Sequence, residues 1–254
     1  PGCGAEDFDL GLKNDLPQIC PINDQGVMLE NTGFMAGYKT TEVTDLVIEN
    51  LKKQNKLLYS HNYKHSYPFC WRCKTDLVYK LISTWFIKMD DLRPKLIKVL
   101  DDVEFQPEYS KKRMIDWLNN MGDWNISRSR FYGLPLPFYV CEKCGKVHIL
   151  GSLDELKQKA INPEKIADIP HLHRPYIDEI EIKCDNCGAN VKRIPEVGDC
   201  WLDAGITPFS TKKYFTDKKF FEENFPSDYV CEMVEQVKLW FFFTLVTSVT
   251  LTGR

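Results

Sequence analysis

The sequence predicts an α/β fold that carries at least one small metal-binding insertion. Three stretches, 41–57, 91–100 and 110–122, have the apolar periodicity of amphipathic helices. Residues 134–210 form short runs interrupted by glycine, proline and pairs of cysteines, a pattern typical of strands and turns around a metal ion. Residues 229–251 are expected to form one long helix, or a helix that continues into a buried strand.

The first two predicted helices combine periodicity with a start signal. The helix over 41–57 places apolar residues near one face, and Thr40 or Thr41 is available as its N-cap. The helix over 91–100 has Pro94 in its first turn, where the missing N–H costs little.

The third predicted helix, 110–122, is capped by Ser110 and ends near Gly122. A shorter helix is predicted over 153–160, inside the cysteine-rich stretch. The apolar residues that the third helix should bury are Met114, Trp117, Leu118 and Met121.

The composition of the 254 residues is that of a soluble globular protein, with 43% hydrophobic residues and a formal net charge of -3. This charge is not the basic footprint of a nucleic-acid-binding domain, although a local patch on a large enzyme can bind RNA. The first ten residues lack the features of a signal peptide. The apolar stretch 239–251 is shorter than the roughly 20 residues of a membrane helix, so we expect a core element and no membrane contact.

Ten cysteines are many for a chain of this length. Paired cysteines in a larger chain without a signal peptide indicate metal binding in a reducing compartment, so we expect a cytoplasmic protein. Six of the ten form three C-x-x-C pairs: Cys70/Cys73, Cys141/Cys144 and Cys184/Cys187.

Two of these pairs predict a complete zinc site. Cys141/Cys144 and Cys184/Cys187 share the form C-x-x-C-G, in which glycine accepts the backbone conformation of a zinc-knuckle turn. Four thiolates leave no coordination position open, so the predicted Zn²⁺ has a structural role.

The remaining pair, Cys70 and Cys73, has no matching pair in the chain. His65 and His61 could complete a mixed site, although it would be cramped and wholly local. Two free thiols in the core explain the spacing about as well. Spacing alone leaves both interpretations open.

Six segments in a fixed order resemble the class I aminoacyl-tRNA synthetases that handle branched aliphatic amino acids. The likeness is greatest to the isoleucine-specific branch, because of the form YPxCWRC. The segments are PGCGAEDF (1–8), HSYPFCWRCKTDL (65–77), STWFI (83–87), WNISRSRFYGLPLPF (124–138), DCWLDAG (199–205) and EMVEQVKLWF (232–241).

The resemblance implies an internal part of a longer ligase, whose Rossmann catalytic domain is split by an insertion that contains an editing domain. The ATP-binding signatures HIGH and KMSKS do not occur in the chain, so these residues alone are expected not to activate an amino acid. The implied parts are the end of the β-rich editing domain, the return segment of the insertion, the zinc-binding insertion and the start of the second Rossmann half: 1–62, 63–140, 141–198 and 199–254.

The resemblance also gives roles to two further features, the Cys70/Cys73 pair and Asp7. It implies that Cys70 and Cys73 are half of a second zinc site, whose other pair lies upstream. It assigns Asp7 to the editing pocket, where a carboxylate binds the α-amino group of a mischarged amino acid. Without the resemblance, Asp7 would be interpreted as an exposed terminal carboxylate. Cys3 departs from the family, which often has histidine there.

Glu232 and Gln236 match a family segment, usually EG-x-DQ, that contacts the aminoacyl-adenylate. The resemblance implies that Glu232 holds the substrate ammonium and that Gln236 hydrogen-bonds around the adenylate. Met233 and Glu235 depart from the family pattern, in which glycine and aspartate stand there, and Glu235 stays a candidate catalytic residue in place of that aspartate. The same segment, with Lys238, is also compatible with the wet face of an amphipathic helix.

Arg128 and Arg130, close to Trp124, suit contact with RNA phosphates or the adenylate. The alternative is an arginine that stacks on tryptophan and pairs with a local carboxylate such as Asp123.

Trp201 and Asp203 match the family form DxWFDSG near the catalytic cleft, although Trp201 could equally serve packing. The resemblance implies isoleucine, tRNA(Ile) and ATP with Mg²⁺ as substrates of a monomeric enzyme. Two other hypotheses stay open: a stand-alone zinc-ribbon RNA-binding module, and a part of a valyl or leucyl enzyme.

Overall fold

The computed structural model describes residues 4–254, except for the side chain of Ala5. The chain divides into two compact units, of which the first ends at Ser83 and the second is Thr84–Arg254. The region boundaries predicted at 62, 140 and 198 stay predictions.

The first unit has helix α1 (Ala5–Lys13), a 3-10 helix (Glu30–Met35) and helix α2 (Val43–Lys53). Helix α2 confirms the helix predicted from residue 41, but the predicted threonine cap is wrong, because α2 has no side-chain cap. Thr40 instead donates its backbone N–H to Gly26 O in a turn.

The β-rich character expected for residues 1–62 has little counterpart in the first unit. Within the described residues of that range, β-structure is limited to the isolated bridges Ile22↔Met28 and Val27↔Lys39. The editing-domain origin of this region stays a prediction.

The main core of the second unit is built by helices α3 (Arg93–Val99) and α4 (Tyr109–Asn120). The 3-10 helix Val234–Lys238 and the α-helix Trp240–Thr252 complete it. Helices α3 and α4 were predicted and are confirmed. Ser110 is buried inside the first turn of α4, which begins one residue earlier, so Ser110 is not the cap. The core includes Leu96, Leu100, Met114, Leu118, Trp124, Phe242 and Val246.

The C-terminal apolar stretch forms a 3-10 helix (Val234–Lys238) followed by a longer α-helix (Trp240–Thr252). The two are separated at Leu239, whose φ of -121° and ψ of -113° are not helical. Of the described residues, Val234–Thr252 is the one stretch long and apolar enough, by length and composition, to cross a membrane. That is weak support for crossing, because core helices pass the same test.

The other helices of the second unit are short. Three buried phenylalanines, Phe209, Phe221 and Phe225, pack against one another. In chain order these short helices are α5 (Leu153–Lys159), α6 (Lys165–Asp168), α7 (Cys200–Gly205), α8 (Thr207–Thr211) and α9 (Lys218–Asn224), with 3-10 turns at Leu100–Asp102 and Tyr176–Glu179. The longer helix Trp240–Thr252 is α10.

Within residues 4–254 the strands form four antiparallel pairs, each of two strands. The chain thus mixes helices and strands, while the Rossmann character expected for 199–254 stays a prediction. The pairs are β1 (Phe86–Ile87) with β2 (Trp124–Asn125), β3 (Ser127–Arg128) with β8 (Val197–Gly198), β4 (Phe138–Val140) with β5 (Val147–Ile149), and β6 (Ile182–Lys183) with β7 (Asn190–Val191).

A second, smaller core lies between the hairpins β4–β5 and β6–β7 and helix α5. Ser152 caps α5 by accepting a hydrogen bond from the backbone N–H of Glu155. The buried residues of this core are Tyr139, Cys141, Leu150, Leu156, Ile166, Ile177, Ile180, Ile182, Cys184 and Val191. The cysteine hairpins therefore have a hydrophobic core of their own.

Candidate metal centre and catalytic residues

Two turns with the same backbone geometry carry the four predicted zinc ligands. In the first, the N–H of Cys141 donates to Lys146 O at 2.9 Å and the N–H of Gly145 donates to Cys141 O at 2.7 Å. In the second, Cys184 and Gly188 repeat this arrangement at 2.8 and 2.9 Å. Both glycines have positive φ, 72° and 69°, which explains why glycine follows each pair.

The turns bring all four sulfur atoms within 4.8 Å of one another. Cys141 Sγ lies 3.5 Å from Cys187 Sγ, and Cys144 Sγ lies 3.6 Å from Cys184 Sγ. A tetrahedral zinc site with Zn–S bonds of about 2.3 Å requires sulfur separations of about 3.8 Å. The donor set and its spacing therefore fit a tetrahedral Zn²⁺.

The electrostatics of the cluster also favour a cation. Hydrogen bonds from the Asn186 side chain and the Lys146 backbone lower the pKa of Cys144 to about 6. A backbone hydrogen bond with Ala189 lowers the pKa of Cys187. Burial and the neighbouring thiols outweigh that effect and raise the pKa of Cys187 to about 12. The thiolate of Cys144 thus forms readily, whereas the thiolate of Cys187 is disfavoured beside the other sulfurs. A bound cation stabilises all the thiolates together, because its positive charge offsets their repulsion.

His148 is a buried neighbour of the cluster that the sequence patterns did not single out. Its Nε2 lies 3.4 Å from Cys184 Sγ, and its Nδ1 lies 3.5 Å from the Asp185 carboxylate. Lys159 Nζ contacts the same carboxylate at 3.0 Å. The available signal was the strand alternation of β5, in which His148 is the inward-facing residue.

The Cys70–Cys73 turn has the same backbone form as the two knuckles. The N–H of Cys70 donates to Thr75 O, and the N–H of Lys74 donates to Cys70 O, both at 2.8 Å. Lys74 takes the glycine position with a φ of 61°. A hydrogen bond from the Thr75 hydroxyl lowers the pKa of Cys73 to about 7.

The mixed site with histidines does not form in the part of the chain that the structure describes. Neither His61 nor His65 joins Cys70 and Cys73 in a cluster of three or more ligands there. The two histidine rings instead stack against neighbouring tyrosines.

Asp199 organises the segment that carries the predicted RNA or adenylate contacts. Its buried carboxylate accepts a hydrogen bond from Trp124 Nε1 at 3.1 Å and pairs with Arg128 Nη2 at 2.9 Å. The partner of Arg128 is therefore Asp199, 71 residues away, and not Asp123, which binds the backbone of Met89. The role of Arg128 and Trp124 toward RNA or adenylate stays a prediction.

Arg130 differs from Arg128 because it is exposed. Among the described residues its guanidinium takes part in none of the hydrogen bonds or ion pairs. Its carbonyl accepts a hydrogen bond from Arg174 Nη1 at 3.3 Å. Its role as an RNA contact stays a prediction.

Three of the predicted catalytic residues, Glu232, Glu235 and Gln236, lie shortly before the start of α10. The amide oxygen of Gln236 accepts the backbone N–H of Trp240 at 3.1 Å, while Glu232 and Glu235 are exposed. A cleft of about 570 Å³ has Glu232 on its lining, together with apolar residues from α4 and α10. Glu232 is thus the one predicted catalytic residue on this cleft.

The DCWLDAG segment packs tightly against α10. The ring of Trp201 stacks on Phe243 with a centroid distance of 5.0 Å, whereas Asp203 is exposed. Trp201 therefore packs against α10, as the packing interpretation of this residue predicts.

Asp7 lies in the first turn of α1 and is exposed. Cys3, the departure from the family pattern, lies outside the described residues.

A family model for tRNA synthetases of class I (I, L, M and V) matches residues 18–254, which is most of the chain. The chain belongs to the class I tRNA synthetases. The order of the six sequence segments is consistent with this membership, and the mixed helix and strand content fits it.

Two curated relatives of this synthetase chain are both named isoleucine–tRNA ligase. The protein from Methanothermobacter thermautotrophicus is 36% identical over 246 residues, which cover 96% of this chain and 23% of the relative. The protein from Methanocaldococcus jannaschii is 38% identical over 242 residues, which cover 95% and 22%. The chain thus spans about a quarter of the length of the curated relatives it matches.

One solved structure with a weaker likeness is the ternary complex of Agrobacterium radiobacter LeuRS with tRNA and LeuAMS. The match covers 60% of this chain and 21% of the solved chain, with 17% sequence identity and a TM-score of 0.36. A TM-score of this size supports no structural inference.

Proposed function

We propose that these residues belong to an isoleucine–tRNA ligase, which activates isoleucine with ATP and Mg²⁺ and transfers it to tRNA(Ile) in the cytoplasm. The supporting observation is that curated relatives of that name are 36 to 38% identical over nearly the whole chain. Because the chain spans about a quarter of them, the activity is proposed for the whole ligase.

Within that proposal, Glu232 binds the ammonium group of isoleucine from the lining of the 570 Å³ cleft. A carboxylate is suited to this task because charge-assisted hydrogen bonds are about twice as strong as neutral ones. HIGH and KMSKS do not occur in these 254 residues, so the chain by itself is expected not to activate amino acids.

We further propose Zn²⁺ as the ion of the cluster Cys141, Cys144, Cys184 and Cys187. Its role is structural, since all four positions of a tetrahedral ion are filled by sulfur. The ion would tie the hairpins β4–β5 and β6–β7 together and offset the repulsion between neighbouring thiolates.

Hydrolytic editing belongs to the same proposal, because isoleucine and valine differ by one methylene. A hydrophobic pocket separates such substrates by about 1–3 kcal/mol, or roughly 10- to 200-fold, which is less than translation needs. Asp7 is proposed to bind the α-amino group of mischarged valine. In the full-length enzyme, Asp7→Ala should let valyl-tRNA accumulate, whereas Asp9→Ala, another exposed carboxylate of α1, should not.

Editing by Asp7 would be contradicted if the two variants hydrolysed valyl-tRNA at the same rate. That outcome would leave the synthetic activity untouched, because activation is measured separately.

Amino-acid specificity is tested by ATP–pyrophosphate exchange with the full-length enzyme and isoleucine, valine, leucine or methionine. We expect the highest kcat/KM for isoleucine, with valine lower by roughly 10- to 200-fold. A higher kcat/KM for valine, leucine or methionine would overturn the isoleucine assignment while leaving the family membership intact.

A further inference from the structure

Residues 59–67 display an uninterrupted series of aromatic rings at every second position. Successive ring centroids from Tyr59 to Tyr67 lie 5.1, 6.4, 5.9 and 6.0 Å apart. Since alternate side chains of an extended segment point to the same side, the rings form one face. This aromatic ladder consists of Tyr59, His61, Tyr63, His65 and Tyr67.

The ladder faces solvent. Tyr59 and Tyr63 are each 75% exposed and Tyr67 is 47% exposed. The Tyr67 hydroxyl donates to Leu77 O at 2.7 Å, which anchors one end of the ladder to the Cys70–Cys73 turn region. The five rings adjoin one another, and a contiguous exposed patch of this kind is typical of a binding surface.

The stretch of sequence that contains the ladder is basic, although the chain as a whole carries a net charge of -3. Between residues 52 and 80 there are seven basic side chains and one acidic residue, Asp76. The basic residues are Lys52, Lys53, Lys56, Lys64, Arg72, Lys74 and Lys80.

Two of these cations also lie on aromatic rings. The guanidinium of Arg72 is 5.0 Å from the centroid of Trp71, and Lys74 Nζ is 5.3 Å from that of Phe69. Trp71 and Phe69 are themselves 76% and 55% exposed, so the ring surface continues past the ladder.

We propose that the aromatic ladder binds a single-stranded RNA end, with its bases on the rings and its phosphates on basic side chains of the same stretch, such as Lys64. Exposed rings in a basic setting are the combination by which proteins bind single strands, because every base has a π-face and every nucleotide a charge. A duplex fits less well, because its bases are already stacked on each other. The inference rests on the proposed function only in naming the unpaired 3′ end of tRNA as the source of this strand.

The test measures binding of a fluorescent single-stranded RNA 12-mer to the 254-residue chain by anisotropy. Replacing a ring that stacks on a base should weaken binding about 5- to 150-fold, so we expect at least a tenfold loss for Tyr59→Ala combined with Tyr63→Ala. Phe215→Ala removes a ring that is 94% exposed in the second unit, and it should leave the Kd within twofold. Tyr63→Phe should bind like the unsubstituted chain, because the ring is kept.

Two further measurements test the roles of the basic side chains and of the unpaired RNA strand. Lys64→Gln should reduce the slope of log K against log salt concentration by about 0.7, the value for one phosphate contact on a single strand. A duplex of the same sequence and a tRNA lacking its unpaired 3′ end should bind at least tenfold more weakly than the single strand and the intact tRNA.

The proposal is overturned if the chain does not bind the 12-mer, if the alanine pair leaves the Kd unchanged, or if the duplex binds as tightly. It is also overturned if the alanine pair changes only self-association, measured by sedimentation, since the ladder would then pair with a second copy. None of these results bears on amino-acid specificity in the exchange assay, so this inference and the proposed function can fail separately.

Discussion

Two carboxylates of the second unit, Asp199 and Asp178, each hold arginine side chains in ionic clusters. Asp199 binds Trp124 and Arg128, as described above. Asp178 binds Arg174 Nε at 2.7 Å and the guanidinium of Arg193, whose side chain is only 1% exposed. Arg193 also donates to Leu136 O at 3.2 Å and Glu196 O at 2.8 Å. Both carboxylates therefore serve as anchors for arginine side chains.

The Asp178 cluster predicts a specific dependence of stability on pH. Burial raises the pKa of Asp178, but its bonds with Arg193 and Arg174 outweigh burial and hold that pKa below the ordinary 3.8. A depressed folded-state pKa means that the unfolded chain binds protons first. The stabilisation is therefore present above about pH 4, and it is lost as pH falls through the folded-state pKa.

Asp178→Ala should lower the free energy of unfolding at pH 7 by about 3 kcal/mol, because it leaves the buried Arg193 without its partner. Urea unfolding at pH 7 and pH 3 measures this, and the difference from the unsubstituted chain should shrink at the lower pH. The matched control, Asp154→Ala, removes an exposed pair with Lys157 and should change the free energy by less than about 0.5 kcal/mol. Equal effects of the two substitutions would contradict the assignment.

His148 supports a second residue-level prediction, which depends on the proposed zinc. Groups that hydrogen-bond a metal ligand typically contribute 10- to 100-fold to metal affinity. Because His148 lies against Cys184 Sγ, His148→Phe should weaken Zn²⁺ binding by roughly that factor in competition with a chelator. His171, which is exposed and does not belong to the cysteine cluster, provides the control, His171→Phe. Unchanged affinity in His148→Phe would show that the contact is only packing.

At the scale of elements, hydrogen bonds hold α7, which carries the predicted catalytic residues Trp201 and Asp203, against α10. Thr247 Oγ1 donates to Gly205 O at 2.6 Å, and Trp240 Nε1 donates to Ala204 O at 3.0 Å. A Cβ built on Gly205 would lie 3.0 Å from Phe243 O and 3.1 Å from Thr247 Cγ2. Glycine is therefore needed here for close approach of two helices, not for a turn.

Gly205→Ala should destabilise the chain by about 1–3 kcal/mol, because the nearest atom is backbone and cannot move aside cheaply. Gly122→Ala is the comparison, since a Cβ there meets nothing within 4 Å, and its effect should be within about 1 kcal/mol of zero. Urea midpoints of the two variants measure the difference. If Gly205→Ala left the urea midpoint unchanged, α7 and α10 would be able to move apart without losing stability, which contradicts this prediction.

At the scale of the whole molecule, local patterns predicted the helices and the cysteine cluster well. Helices α2, α3 and α4 follow from apolar periodicity, and each knuckle is encoded in five consecutive residues. The pairing of the two knuckles followed from their matching form. Features that depend on distant residues were out of reach: the partner of Arg128, the buried His148 and the true starts of α2 and α4.

Metal content tests the cluster as a unit of the molecule. We expect about one zinc ion per chain by elemental analysis after dialysis, because four thiolates make one complete set. Cys184→Ser should lose that ion, whereas Cys70→Ser should keep it, since Cys70 belongs to a separate turn. Absence of zinc from the unsubstituted chain, or its loss in Cys70→Ser alone, would refute the assignment.

The central claim, an isoleucine–tRNA ligase, is tested most directly by charging total tRNA with the full-length enzyme. Radiolabelled isoleucine, valine, leucine and methionine are supplied in parallel, and the charged tRNA is identified by hybridisation. We predict that isoleucine accumulates on tRNA(Ile) and that none of the other three labels accumulates stably on any tRNA. Stable charging of another tRNA with valine, leucine or methionine, without charging by isoleucine, would contradict the account.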